Sequence, residues 1–185
     1  MSLILITGSC GLVGSESVKL FSSKGFDVVG IDNNSRLDFF GREGDTNWIK
    51  NNLIKSHKNY IHKSVDIRNY LALEKIFQRY KKSIKLIIHS AAQPSHDWAK
   101  KNPFIDFNIN ALGTLNLLNL TKKYCYNAPF IFMSTNKVYG DNPNLLPLKE
   151  LKSRWEVQKK HKYFRGINES MSLDNCVHSF FGASK

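Results

Sequence analysis

This sequence predicts an α/β fold, a doubly wound parallel sheet with helices on both faces, and three observations lead there. The chain opens on an apolar run of β-type residues, Leu3-Ile4-Leu5-Ile6-Thr7. That run passes straight into glycines spaced three apart, Gly8, Gly11 and Gly14, and then into a helical pattern. From there on, short apolar runs alternate with segments of helical periodicity, the pattern of a parallel sheet. A chain of 185 residues is long enough for one well-buried domain and short for two.

Each element has its own justification. The first helix carries Val18, Leu20 and Phe21 as its apolar residues and Lys24-Gly25 as its stop signal. Residues 27–32, Asp-Val-Val-Gly-Ile-Asp, read as the second strand, followed by an irregular loop over 33–45 and a helix over 46–56. Tyr60-Ile61-His62-Lys63 is a short third strand. Leu71, Leu73, Ile76, Phe77 and Tyr80 recur at helical spacing behind Asn69, a suitable N-cap. Residues 84–89 are nearly all apolar and form the fourth strand. One long helix is expected over 103–124, with Pro103 in its first turn, and a fifth strand over 129–133. Residues 136–177 are polar and show no clear period. The final Phe180-Phe181-Gly182-Ala183-Ser184-Lys185 reads as the start of a helix. A doubly wound sheet would add at least one more strand, so the fold is expected to be C-terminally incomplete, with 1–185 a single dinucleotide-binding domain.

Composition excludes several classes. No stretch approaches the roughly 20 apolar residues of a membrane span, and no basic segment precedes an apolar one at the N-terminus. Cys10, Cys125 and Cys176 lack metal-ligand spacing, so no metal site is expected; they read as reduced thiols of a cytoplasmic protein. The net charge of +12 invites nucleic acid, but the lysines are scattered in pairs such as Lys81-Lys82 and Lys122-Lys123, with no basic stripe. A general attraction for anionic ligands fits better than nucleic-acid binding.

The chemistry sits in the glycine turn. A strand, a tight turn and a helix N-terminus place backbone N–H groups and a positive helix end around a phosphate. Gly8, Cys10, Gly11, Leu12, Val13 and Gly14 are therefore candidates to hold a dinucleotide, Cys10 as a small loop residue and not as a nucleophile. Asp32 follows about twenty residues on, where an acid meets the adenosine ribose hydroxyls and repels a 2′-phosphate. NAD is favoured over NADP, although Arg36 stands near enough to accept a phosphate.

The spacing Thr7-Gly8-x-x-Gly11-x-x-Gly14 resembles that of the extended short-chain dehydrogenase/reductase family, which contains nucleotide-sugar epimerases and dehydratases. The resemblance implies a Rossmann fold and further site residues. By it, the Asp66 side chain and the Ile67 backbone amide face the adenine. Ala91, Ala92 and Gln93, ending the fourth strand, let the diphosphate and nicotinamide ribose pass close to the backbone. Asn110, in Asn110-Ala111-Leu112-Gly113-Thr114, braces the active site, and Gly113 marks a close contact, since glycine costs a helix up to about 1 kcal/mol. Thr135 matches the family's catalytic Ser/Thr, which hydrogen-bonds the substrate oxygen. Lys185 matches the lysine that lowers a tyrosine's pKa and holds the nicotinamide ribose. Phe181 stands where that tyrosine belongs, and it has no proton to give or take.

Family dehydratases carry an Asp-Glu pair directly after the Ser/Thr; here Asn136-Lys137 stands there, which argues against dehydration. Residues 134–141, Ser-Thr-Asn-Lys-Val-Tyr-Gly-Asp, together with Asp32-Asn33-Asn34-Ser35-Arg36 and Gly166-Ile167-Asn168-Glu169-Ser170, are similar to CDP-tyvelose (CDP-paratose) 2-epimerases. Asn33 and Asn34 join the cofactor candidates on that basis. The implied reaction oxidises a sugar carbon with NAD and returns the hydride to the opposite face, on a CDP-sugar. The competing expectation is a non-catalytic dinucleotide-binding module or inactive fragment. The 185 residues alone are expected to bind NAD weakly and not to epimerise; self-association of a full-length protein is left open.

Overall fold

The computed structural model describes residues 2–185. Five parallel strands lie in the order β3-β2-β1-β4-β5: β1 (Leu3–Thr7), β2 (Asp27–Ile31), β3 (Tyr60–Lys63), β4 (Ile84–His89) and β5 (Phe130–Phe132). Every residue of β1 is buried, because the strand is central and covered on both faces. Its side chains alternate between two cores. Leu3 and Leu5 join Val29, Phe77, Ile87 and Leu117, whereas Ile4 and Ile6 join Val18, Val28, Leu53 and Ile88. Helices α1 (Leu12–Ser23) and α3 (Asn47–Ser56) cover the second face; α4 (Tyr70–Tyr80) and α7 (Gly113–Tyr124) cover the first.

Asn69 caps α4, its side chain accepting from Ala72 N at 3.0 Å, and Leu73, Ile76 and Phe77 face inward. Leu71 and Leu20, counted above among the apolar faces, are exposed instead. The loop over 33–45 is ordered: it holds α2 (Arg36–Phe40) and a 3₁₀ turn, Gly41–Gly44. Asn34, at φ 60°, accepts from both the amide (2.8 Å) and the hydroxyl (2.8 Å) of Thr46, which ties this loop to the start of α3.

The single helix expected over 103–124 is divided. After α5 (His96–Lys101), which the sequence did not signal, comes α6 (Pro103–Phe107), then a π-helical turn, Asn108–Leu112, then α7. The π turn turns Asn110 inward, and Gly113 lets the helix approach Ile67, whose Cδ1 would lie 2.5 Å from any Cβ there. Residues 136–177 form 3₁₀ turns at Asn136–Tyr139 and Asn142–Leu145 and a small antiparallel sheet, β6 (Leu148–Glu150) with β7 (Trp155–Val157). The last helix, α8 (Phe180–Ala183), packs against α5, α6 and the 136–139 turn.

Candidate functional site

The strand order reverses between β1 and β4, so the loops leaving them diverge and open a crevice at the carboxyl ends of the strands. A cleft of about 360 Å³ lies there. Gly8, Gly11, Leu12, Val13 and Gly14 form one wall, and Asp32, Asn33 and Arg36 stand at the end of β2. Asp66 and Ile67 follow β3, while Ala91 and Ala92 follow β4.

The glycine turn is shaped by close approach. Gly8 has φ 67°, and a Cβ there would sit 2.6 Å from Ala91 N, backbone against backbone. A Cβ on Gly14 would strike Gly8 O. Gly11 caps α1 without a side chain, and among the described residues Leu12, Val13 and Gly14 N–H find no acceptor. Three N–H groups at a helix N-terminus thus face the cleft wall. Asp32 takes one N–H on each oxygen, from Cys10 (3.0 Å) and from Asn34 (2.8 Å), which leaves lone pairs for further donors.

Beneath the floor, His89 is buried between two hydroxyls, Thr7 Oγ1 on Nδ1 (2.6 Å) and Thr114 Oγ1 on Nε2 (2.8 Å). Thr114 donates to Asn110 O, so it accepts from His89 Nε2–H, and Thr7 donates to Nδ1. The imidazole is neutral, burial pushing its pKa down to about 3. Thr7 Oγ1 in turn accepts Ala91 N–H at 3.3 Å, so the histidine braces the floor.

Not every candidate lines this cleft. Cys10 is buried, its thiol pushed up to about 11 by burial, and it borders a separate polar cavity of about 220 Å³ with Asn34, Lys50 and His62. Gln93 and Asn110 are buried behind the floor, where Gln93 N donates to Asn110 Oδ1 at 2.9 Å. Thr135, past the end of β5, accepts from Lys137 N (3.3 Å) and so caps the 136–139 turn. Lys185 Nζ lies 5.0 Å from the ring centre of Phe132 in β5, and burial lowers its pKa. Phe181 is buried in α8, and Ser179 caps that helix by accepting from Gly182 N at 3.1 Å. Among the described residues no group of three or more His, Cys, Asp or Glu could hold a metal, and no helix is long and apolar enough to cross a membrane.

Residues 5–154 match the family model described as GDP-mannose 4,6 dehydratase. The chain belongs to this family of NAD-dependent epimerases and dehydratases. It is 35% identical to the CDP-paratose 2-epimerase of Salmonella typhi over 98% of its own length and 49% of that protein. The dTDP-glucose 4,6-dehydratase of Bacillus anthracis, solved in complex with NAD, is 25% identical with a TM-score of 0.64, over 100% of this chain and 47% of that one. The UDP-Glc/GlcNAc 4-epimerase of Campylobacter jejuni (21% identity, TM-score 0.74, covering 100% and 46%) shares the fold. The chain spans about half the length of the curated relatives it matches.

The residues of this epimerase/dehydratase chain fit the family's NAD. Unclaimed N–H groups suit a diphosphate, a carboxylate with free lone pairs suits ribose hydroxyls, and the backbone floor leaves room for both. Several wall residues were not singled out as site candidates from the sequence, although Ser35, Val65 and Ser90 lie within motifs that were: Ser35, Phe39, Val65, Ser90, Pro94, Ile109 and Met133. Phe39 carried no signal, since its loop shows no period; its ring lies 4.7 Å from that of Trp98 in α5. Ser90 and Met133 could have been found from their places at the ends of β4 and β5.

Proposed function

We propose that this chain is the cofactor-holding part of an NAD-dependent nucleotide-sugar epimerase acting on a CDP-sugar. The observation that carries the reading is the cleft itself, with three unclaimed N–H groups on its glycine wall and the Asp32 carboxylate at the end of β2. NAD bound there would accept a hydride from a sugar carbon and return it. The chain's own residues bind and orient. Gly8, Gly11 and Gly14 admit the diphosphate, the amides of Leu12, Val13 and Gly14 bond to it, and Asp32 accepts the adenosine hydroxyls. Asn33, Arg36, Asp66 and Ile67 border the adenosine end, and Ala91 and Ala92 the nicotinamide end. Cys10, Asn34, Gln93 and Asn110 act from behind the wall by fixing Asp32 and the floor. The Thr135 hydroxyl would bond the sugar oxygen, and the Lys185 ammonium would hold the nicotinamide ribose.

Asn136 and Lys137 place no carboxylate beside Thr135, which favours epimerisation over water loss. The 35% identity with a CDP-paratose 2-epimerase supports the CDP-sugar. Phe181 favours a second reading, a dinucleotide-binding module without turnover, since a buried phenyl ring cannot relay a proton.

Titration calorimetry with both coenzymes tests the first step. Heat with NAD and a weaker response with NADP is expected; no heat with either coenzyme ends the proposal. Incubating the full-length protein and NAD with CDP-sugars separates the two readings: epimerisation supports the enzyme, and its absence despite NAD binding supports the module. A rate raised by Phe181→Tyr would place the missing base at 181.

A further inference from the structure

Behind the floor lies a carboxylate that the reading above leaves unused. Asp106, in α6, is fully buried, and side chains from three separate segments donate to it. Gln93 Nε2 (2.8 Å) and Asn110 Nδ2 (3.1 Å) reach Oδ1, and Ser184 Oγ (2.7 Å) reaches Oδ2. Asn110 Nδ2 also reaches Ser184 Oγ at 3.0 Å, so the residue beside Lys185 is bonded once to the π turn and once to α6. The remaining atoms are engaged: Gln93 Oε1 accepts from Ser95 N, and Asn110 Oδ1 from Gln93 N. Only donors converge on the carboxylate, an arrangement that suits an anion and leaves an amide with a donor facing donors.

We propose that Asp106 is a positioning residue for Lys185, latching the preceding residue, Ser184, to α6 beside the π turn and keeping a buried carboxylate at the base of the segment that carries the lysine. The Lys185 ammonium lies over Phe132, its Nζ 5.0 Å from the ring centre. Burial lowers the Lys185 pKa, and the Asp106 charge opposes that effect. His89, the other buried titratable group nearby, is neutral. The charged groups of the elements packed on α8 are His96, Asp97, Lys100 and Lys101 of α5 and Lys137 of the 136–139 turn, all solvent-exposed and so screened. The proposal rests on the NAD reading only in giving Lys185 a ribose to hold; the latch itself is a property of the cofactor-free protein.

The test follows Lys185 by NMR in full-length protein with ¹³C-methylated lysines, its resonance assigned from Lys185→Arg, with no coenzyme present. Asp106→Asn is expected to lower the Lys185 titration midpoint by about one pH unit, the effect of losing a near opposite charge. Ser184→Ala keeps that charge but loosens the latch. It is expected to collapse the upfield ring-current shift from Phe132. A purely structural role for Asp106 would leave the midpoint unmoved. An unchanged midpoint in Asp106→Asn, or, should that variant not fold, an unchanged ring-current shift in Ser184→Ala, overturns the proposal. NAD affinity measured alongside keeps the two ideas apart: wild-type protein that binds no NAD refutes the functional reading, and the Lys185 titration still judges the latch.

Discussion

Asp32 occupies a position where a single atom decides much. Each carboxylate oxygen already accepts one N–H, so replacing either oxygen with NH₂ sets a donor against Cys10 N or Asn34 N and removes an acceptor for the ribose. Hydrogen bonds to a charged group are each worth about 1.5–3 kcal/mol. Asp32→Asn is therefore expected to weaken NAD binding by roughly 10- to 100-fold. NADP, no longer repelled, should lose far less. Calorimetry with both coenzymes checks this, and an equal loss for the two would remove Asp32 from the ribose site. At this scale the site was legible where backbone makes it: Gly8, Gly11, Gly14 and Asp32 follow from spacing alone. Asp106 was not, because its meaning depends on Gln93, Asn110 and Ser184, brought together only by folding. Phe39 and Trp98 escaped for the same reason.

Among the elements, those whose ends carry side-chain signals were read best. The third and fourth strands fall where their apolar runs end, and Asn69 caps α4 as its position suggested. Removing that cap with Asn69→Ala is expected to cost about 1 kcal/mol. In a chain of this size that corresponds to a melting temperature lower by about 2–4 °C. A calorimetric scan measures it, and an unchanged midpoint would mean that Ala72 N–H is satisfied by water at no cost. The π turn at Asn108–Leu112 was invisible, since adding one residue to a turn leaves the apolar pattern on either side nearly intact. Helix α5 was missed because six residues, four of them charged or titratable, are too few to show a period. Its signal was local: Ser95 accepts from Trp98 N at 3.2 Å, an N-cap that could have been noticed.

For the molecule as a whole, pH reaches the core through His89. The unfolded chain takes up this proton near pH 6.5, the folded chain only near pH 3, so acid favours the unfolded state across that window. Stability is full above pH 6.5 and falls as the pH drops. Between pH 7 and pH 5 the loss from His89 is about 2 kcal/mol, and His62, lowered by burial, acts in the same direction. Urea denaturation at the two pH values reads the loss. Equal midpoints would mean that His89 is charged in the folded protein and that Thr7 does not donate to it. The Asp45, Asp66 and Glu74 carboxyls are held below their ordinary values by hydrogen-bonding partners, and their contribution is likewise lost toward acid.

A parallel sheet was expected from alternation alone, but the contact between the turns leaving β1 and β4 was not. At Gly8 and Ala91 main chain abuts main chain, with no side chain between them. The base of the crevice therefore keeps its contour whatever residues evolution tries around it. Side chains border the crevice instead at Ser35, Phe39, Pro94 and Met133. A lineage built on this scaffold can exchange one nucleotide ligand for another by altering these side chains, and the bed on which the ligand lies stays as it was.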